Sequence, residues 1–150
     1  MKPTVLVPYD FSDNSLEALT WAADLQNTLK DKAPIHLVHF ISSSPSHDPM
    51  SIMQVLLPTP EEIATLQDAL RETVAKVGAW AEIDVLVRPL SIGDAVVIHA
   101  TELHIDLVVM GTHGRTGVKR MLLGSVANHV VSHAPCPVVT IRSRARADAH

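Results

Sequence analysis

The residues with the clearest chemical potential lie close together in GTHGRTGVKRMLLGS, residues 111–125, which holds four of the chain's six glycines. Glycine accepts positive φ and lets a backbone approach a ligand closely, but each one costs conformational entropy on folding, so a cluster implies a task. Gly111 closes the apolar run IDLVVMG, and Gly124-Ser125 immediately precedes a stretch with helical character. Backbone N–H groups, the positive end of a helix and the Ser125 hydroxyl would converge there, and that combination suits an anion, phosphate above all. Arg115, Lys119 and Arg120 could balance phosphate charge or could form a solvated basic turn. The spacing at Gly111, Gly114 and Gly117 is GxxGxxG and no GK[ST] follows, which disfavours both a Walker ATPase and a standard dinucleotide fold.

Other reactive residues form weaker constellations. Asp10, at the end of TVLVPYD, can accept hydrogen bonds from a ribose or an adenine amine, or can cap the first helix. Ser125 lacks the GxSxG setting of a nucleophile elbow, so it reads as a phosphate donor or first-turn residue. His113 reads as a backbone-supported loop residue in preference to a water-activating base. His129 and His133 stand at i and i+4, the spacing that presents two imidazoles to one metal, but no third ligand lies nearby. With Val126, Val130 and Val131 marking the buried side, both histidines are expected on a solvated face with Asn128 and Ser132. His36 and His39 point to opposite faces of a strand and cannot chelate together.

The elements that must position these groups alternate along the chain. TVLVPYD, ending near Asp10, IHLVHFI at 35–41, AEIDVLVRP, IDLVVMG at 105–111 and the closing VVTIR read as strands. Helices are expected from Asp13 to about Leu29 with Ser12 or Asp13 as the cap, from Glu61 to Val77 with Pro60 in the first turn, from Gly93-Asp94 towards Leu103, and from Ser125 to Ala134. Along the first of these, Leu16, Leu19, Ala22, Ala23 and Leu29 recur at helical spacing. Residues 42–60, rich in proline and serine, form a long loop, where Met50, Met53, Leu56 and Leu57 either make an apolar lid or partner surface or fill the core edge. Order βαβαβαβαβ predicts a parallel sheet with helices on both faces, and ligands in such sheets bind beyond the strands' carboxyl ends where strand order reverses. A central first strand would bring Asp10 and the glycine segment to one crevice.

Composition agrees with one α/β domain spanning residues 1–150. Apolar residues make up 47% of the 150, and aromatic residues are few, so the core must be aliphatic. Cys136 is alone and no charged-then-apolar leader opens the chain, so a reducing cytoplasm is expected. No apolar run is long enough to span a membrane. A formal charge of −4 disfavours a general nucleic-acid binder, and the basic RSRAR at Arg142 to Arg146 belongs to a frayed tail, 143–150.

The spacing of Gly111, Gly114 and Gly124-Ser125 resembles the G-x2-G-x9-G-[S/T] signature of the ATP-binding universal stress proteins. The likeness extends to Pro8-Tyr9-Asp10 with Phe11-Ser12, to VHF in the second strand, to VVMGTHG and to PCPVVTIR, so it covers nearly the whole chain. It implies a five-stranded parallel sheet with helices on both faces, binding ATP or another adenine nucleotide with Mg2+ or Mn2+, and a homodimer joined through the last strand, Val138 to Ile141. On matching positions, Pro8, Tyr9 and Asp10 would border the adenosine, with Phe40 beside the adenine. Met110, Gly111, His113 and Gly114 would line the ribose and phosphate side, and Gly124, Ser125, Val126 and Ala127 would close on the phosphates. The family often has a polar residue where Ala127 stands. The implied role is a nucleotide-dependent regulatory or binding module; slow ATP hydrolysis or phosphotransfer on the same site, and a nucleotide-free dimerisation module, are the alternatives.

Overall fold

The computed structural model describes residues 3–43, 57–113 and 123–143. Its elements are β1 (Val5–Pro8), α1 (Asp13–Thr28), β2 (Ile35–Ser42), α2 (Pro60–Val77), β3 (Ala81–Arg88), α3 (Ile92–Glu102), β4 (Leu107–Gly111), α4 (Ser125–His133) and β5 (Val138–Ile141). The five strands are parallel in the order β3-β2-β1-β4-β5, so β1 is central and strand order reverses between β1 and β4. Most of the 42–60 loop, with Met50, Met53 and Leu56, lies outside the described residues, as do Gly114, Arg115, Gly117, Lys119, Arg120 and nearly all of the tail.

Each face of the sheet carries its own apolar cluster. Val5 and Val7 of β1 with Ile35 and Leu37 of β2 meet Ala18, Leu19 and Ala22 of α1 and Leu70 and Val74 of α2. Leu6, Val38, Phe40, Val108 and Met110 point the other way, against Ala95, Val96 and Ala100 of α3 and Ala127 and Val130 of α4. This is the period-two alternation of strands buried on both sides, and each fully buried Leu or Val contributes about 1.5–3 kcal/mol.

Local chemistry sets most of the boundaries. Ser12 Oγ accepts from the Ser15 N–H to start α1, and Ser91 Oγ accepts from the Asp94 N–H to start α3. Thr59 and Glu62 form a reciprocal capping box around Pro60 at the head of α2, which ends at Gly78 in the left-handed conformation, φ 68°.

Several elements depart from the sequence reading. β1 stops at Pro8, short of Asp10, because Phe11 takes φ 64° and swings the chain out of the sheet, although Tyr9 N still donates to Val38 O at 2.8 Å. β4 begins at Leu107 and not at Ile105, since the N–H groups of Asp106 and Leu107 both turn to Thr4 O. On α1, Leu16 is exposed and the buried face runs through Ser15, Ala18, Leu19, Ala22, Ala23 and Gln26. Buried Gln26 was invisible in the apolar pattern: its Nε2 donates to Ala33 O and Trp80 O, and its Oε1 accepts from Trp80 N, tying α1 to the entry of β3. On α4, Val131 is exposed and Ala127 takes its expected place in the core beside Val130.

Candidate functional site

Beyond the carboxyl end of β1 the chain is held by a compact polar turn. Asp10 Oδ1 accepts from Ser12 N at 3.0 Å and also from the Ser12 hydroxyl, while Ser12 itself caps α1. Asp10 therefore acts on the helix through its cap. Phe11, in its left-handed conformation, stands edge-on to both Tyr9 and His39, each with a centroid distance of 5.1 Å. His39 Nδ1 lies 2.7 Å from Tyr9 O, and because a carbonyl only accepts, that nitrogen carries the proton. The Tyr9 ring is buried, and burial raises its phenol above the ordinary value against a hydrogen bond with Thr73 that lowers it.

The β4 end faces this turn across the reversal point. Thr112, buried and unnoticed in the sequence, pins the glycine segment: its N–H donates to Ile141 O at 2.9 Å and its carbonyl accepts from Gly124 N at 2.6 Å. Thr112 and Gly124, which flank residues 113–123, are thereby drawn together. Asn14, in the first turn of α1, adds a second clasp, donating from Nδ2 to His113 O at 3.1 Å and accepting at Oδ1 from Ser143 N at 2.6 Å. A Cβ on Gly111 would lie 2.6 Å from Asn14 Cβ and 2.9 Å from the Asn14 carbonyl carbon. Helix α1 alone accounts for a glycine at that position, since real Cβ atoms do not approach so closely. No distinctive local pattern marks Asn14; its partners lie 99 and 129 residues away in sequence.

The head of α4 differs from those of the other helices. Gly124 is its N-cap, with φ −69° and ψ 168°, and makes no side-chain cap bond, whereas Ser12, Thr59 and Ser91 cap α1, α2 and α3. The first intrahelical bond runs from Asn128 N to Gly124 O at 2.9 Å, so the N–H groups of Ser125, Val126 and Ala127 are the donors that helix geometry leaves without an intrahelical partner. No acidic side chain occupies that first turn, which leaves its positive field uncompensated there. A Cβ on Gly124 would meet Thr112 O at 3.2 Å. The Ala127 methyl is packed in the core, so that residue has only its backbone to offer.

Pro8, Tyr9 and Asp10, Met110 with Gly111 and His113, and Gly124 through Ala127 thus gather at the carboxyl edge of β1 and β4. Phe40 lies one strand away, two residues past the Pro8–Val38 pair, its ring buried on the face of Met110 and edge-on to His99 at 5.6 Å. His129 is not simply solvated as expected: its Nε2 is 2.9 Å from Asp94 Oδ1, its ring packs on Gly93, and it stacks on His133 at 4.3 Å, which links α4 to the head of α3. The hydrogen bond from Ser91 holds the Asp94 carboxyl below its usual range, and His129 adds to that effect. Among the described residues no three His, Cys, Asp or Glu side chains gather as a metal set, and no helix is long and apolar enough to cross a membrane.

Comparison with known proteins places this geometry. A universal stress protein of Methanocaldococcus jannaschii is 31% identical over 147 residues, spanning 92% of this chain and 81% of that protein. Among solved structures, universal stress protein UspA from Lactobacillus plantarum superposes with a TM-score of 0.72 at 28% identity, covering 95% of this chain and 99% of its own. A universal stress protein from Archaeoglobus fulgidus, solved in complex with dAMP, superposes with a TM-score of 0.65 at 25% identity, covering 94% and 98%. The sequence model of the universal stress protein family matches residues 1–142, every described strand and helix included, and the chain belongs to that family.

Proposed function

We propose that this chain binds an adenine nucleotide, ATP with Mg2+ or Mn2+, in the crevice beyond β1 and β4 and works in the cytoplasm as a nucleotide-dependent regulatory module. The observation that carries the reading is the bare head of α4 at Gly124, placed where strand order reverses, the position at which open α/β sheets take their ligands. The Archaeoglobus fulgidus relative in complex with dAMP supports an adenine nucleotide as the occupant. In this reading the N–H groups of Ser125, Val126 and Ala127, with the Ser125 hydroxyl, receive the phosphates. Pro8, Tyr9 and Asp10 would border the adenosine with Phe40 beside the base, and Met110, Gly111, His113 and Gly114 would line the ribose and phosphate side. The metal would ride on the phosphates, because no protein ligand set converges among the described residues. The residues form one domain, and the edge strand β5, half-buried along Val138–Ile141, is the strand through which two copies would pair.

Acid denaturation of purified protein should release adenine nucleotide. Mg-ATP at a hundred times its Kd should stabilise the fold by about 2.7 kcal/mol, a rise in Tm of about 5–11 °C. Gly124→Val and Ser125→Ala should both weaken binding. Absence of released nucleotide together with an unmoved Tm would overturn the proposal, as would variants that bind like the parent. Single-turnover assays separate stoichiometric binding from slow hydrolysis.

A further inference from the structure

A second cavity opens on the α3 side of the sheet, away from the crevice at β1 and β4. It measures about 280 Å³ and is lined by His36 and Val38 of β2, Glu82 and Asp84 of β3, and His99 and Leu103 near the end of α3. The fold explains its position: β3 is the edge strand opposite β5, and α3 packs on β2, leaving the Glu82 and Asp84 row of β3 uncovered. The register sets His36 against Glu82 and Val38 against Asp84, so imidazole and carboxylates share one wall.

The chemistry of the lining is one-sided. Glu82 lies 3.4 Å from His36 Nδ1, Asp84 Oδ1 accepts from Val85 N, and among the described residues neither carboxylate pairs with a lysine or arginine. The nearby Arg88 is engaged with Glu102 at 3.6 Å. His99 is buried, and among the described residues its Nδ1 has no hydrogen-bond partner. Burial holds the His99 imidazole below its ordinary pKa, with Arg88 and His36 acting the same way, so at neutral pH the ring is uncharged and carries an acceptor nitrogen. Val38 and Leu103 supply an apolar side.

We propose that this cavity is a binding site for a small organic amine, whose ammonium group lies against Glu82 and Asp84 near the His99 imidazole, and whose short alkyl chain covers Val38 and Leu103. An ammonium brings donors and a positive charge and no acceptor, which matches a lining of two carboxylates beside the uncharged His99 imidazole. A bare metal ion fits less well, because no three of these groups converge on a point and the apolar side would go unused. The volume lies just under the range of about 300–1,000 Å³ typical of drug-sized ligands, so the occupant is small.

The probe is 1,4-diaminobutane, with 1,4-butanediol as its uncharged counterpart, titrated into the full chain while the His36 and His99 ring signals are followed by NMR. The diamine should shift both rings saturably and the diol should not. Glu82→Gln with Asp84→Asn should weaken diamine binding about tenfold or more, and because both carboxylates are solvent-exposed the Tm of that variant should match the parent. Ser125→Ala should leave diamine affinity unchanged, which separates this site from the nucleotide crevice. Equal binding of the diol, a double variant that binds like the parent, or loss of binding in Ser125→Ala would each overturn the proposal.

Discussion

Replacing Gly111 with alanine asks whether that glycine serves the ligand or the fold. Among the described glycines only Gly78 has positive φ, so the Gly111 backbone accepts alanine without torsional strain and the substitution isolates the contact. The new methyl would sit 2.6 Å from Asn14 Cβ, 2.9 Å from its carbonyl carbon and 3.1 Å from Ser15 N. Two of these atoms are helix backbone, so α1 must move as a body. Overpacking of this kind costs about 1–3 kcal/mol. A displaced Asn14 also weakens its bonds to His113 O and Ser143 N, about 1 kcal/mol each at most, while the stiffer unfolded chain returns about 0.4–1 kcal/mol. The net loss is about 2–3 kcal/mol, which lowers Tm by about 4–12 °C in a chain of this length. Thermal and urea melts of nucleotide-free protein measure it. Gly93→Ala is the control: its methyl would meet the His129 ring at 2.8 Å, but that half-exposed side chain can turn aside, so the loss should be smaller. A nucleotide-free Gly111→Ala protein that melts with the parent and loses only nucleotide affinity would refute the account and return Gly111 to the ligand.

Two further outcomes follow from buried polar groups. Gln26→Leu strands Ala33 O, Trp80 O and Trp80 N at once and should cost about 2–4 kcal/mol by urea denaturation, while Gln26→Glu, which keeps only the acceptor, should not restore the parent stability. His99 has a folded pKa below its ordinary 6.5, so as pH falls below about 6.5 the unfolded chain takes a proton that the folded chain refuses, and stability drops until the folded group also titrates. His99→Leu should therefore flatten the fall in Tm between about pH 6.5 and 5 without lowering Tm at pH 7.5; an unchanged acid slope would remove His99 from the account.

Much of the architecture was legible before the structure. Alternation of short β-branched runs with capped helical stretches carried element order and type, because propensity, capping and period-two burial are local properties that a chain displays in one dimension. The boundaries at Pro8 and Leu107 were less so, since one depends on a left-handed Phe11 and the other on Thr4 O. The expected place of Val131 on the buried side of α4 failed, and Leu16 in the helical pattern of α1 is exposed, because a helix face is chosen by what packs on it, here neighbours that bury Ser15, Gln26 and Ala127 instead.

The site divides in the same way. Sequence by itself determined the order of strands and helices, the parallel α/β class and the resemblance that the family match then bore out. Tertiary structure alone decided that Asp10 works through Ser12, that Gly111 yields to α1, that Thr112 and Asn14 clasp the loop, and that His129 reaches Asp94. Each of these depends on a contact between atoms fixed by packing. Residue type and spacing can propose such contacts, but only the juxtaposition of strands and helices creates them.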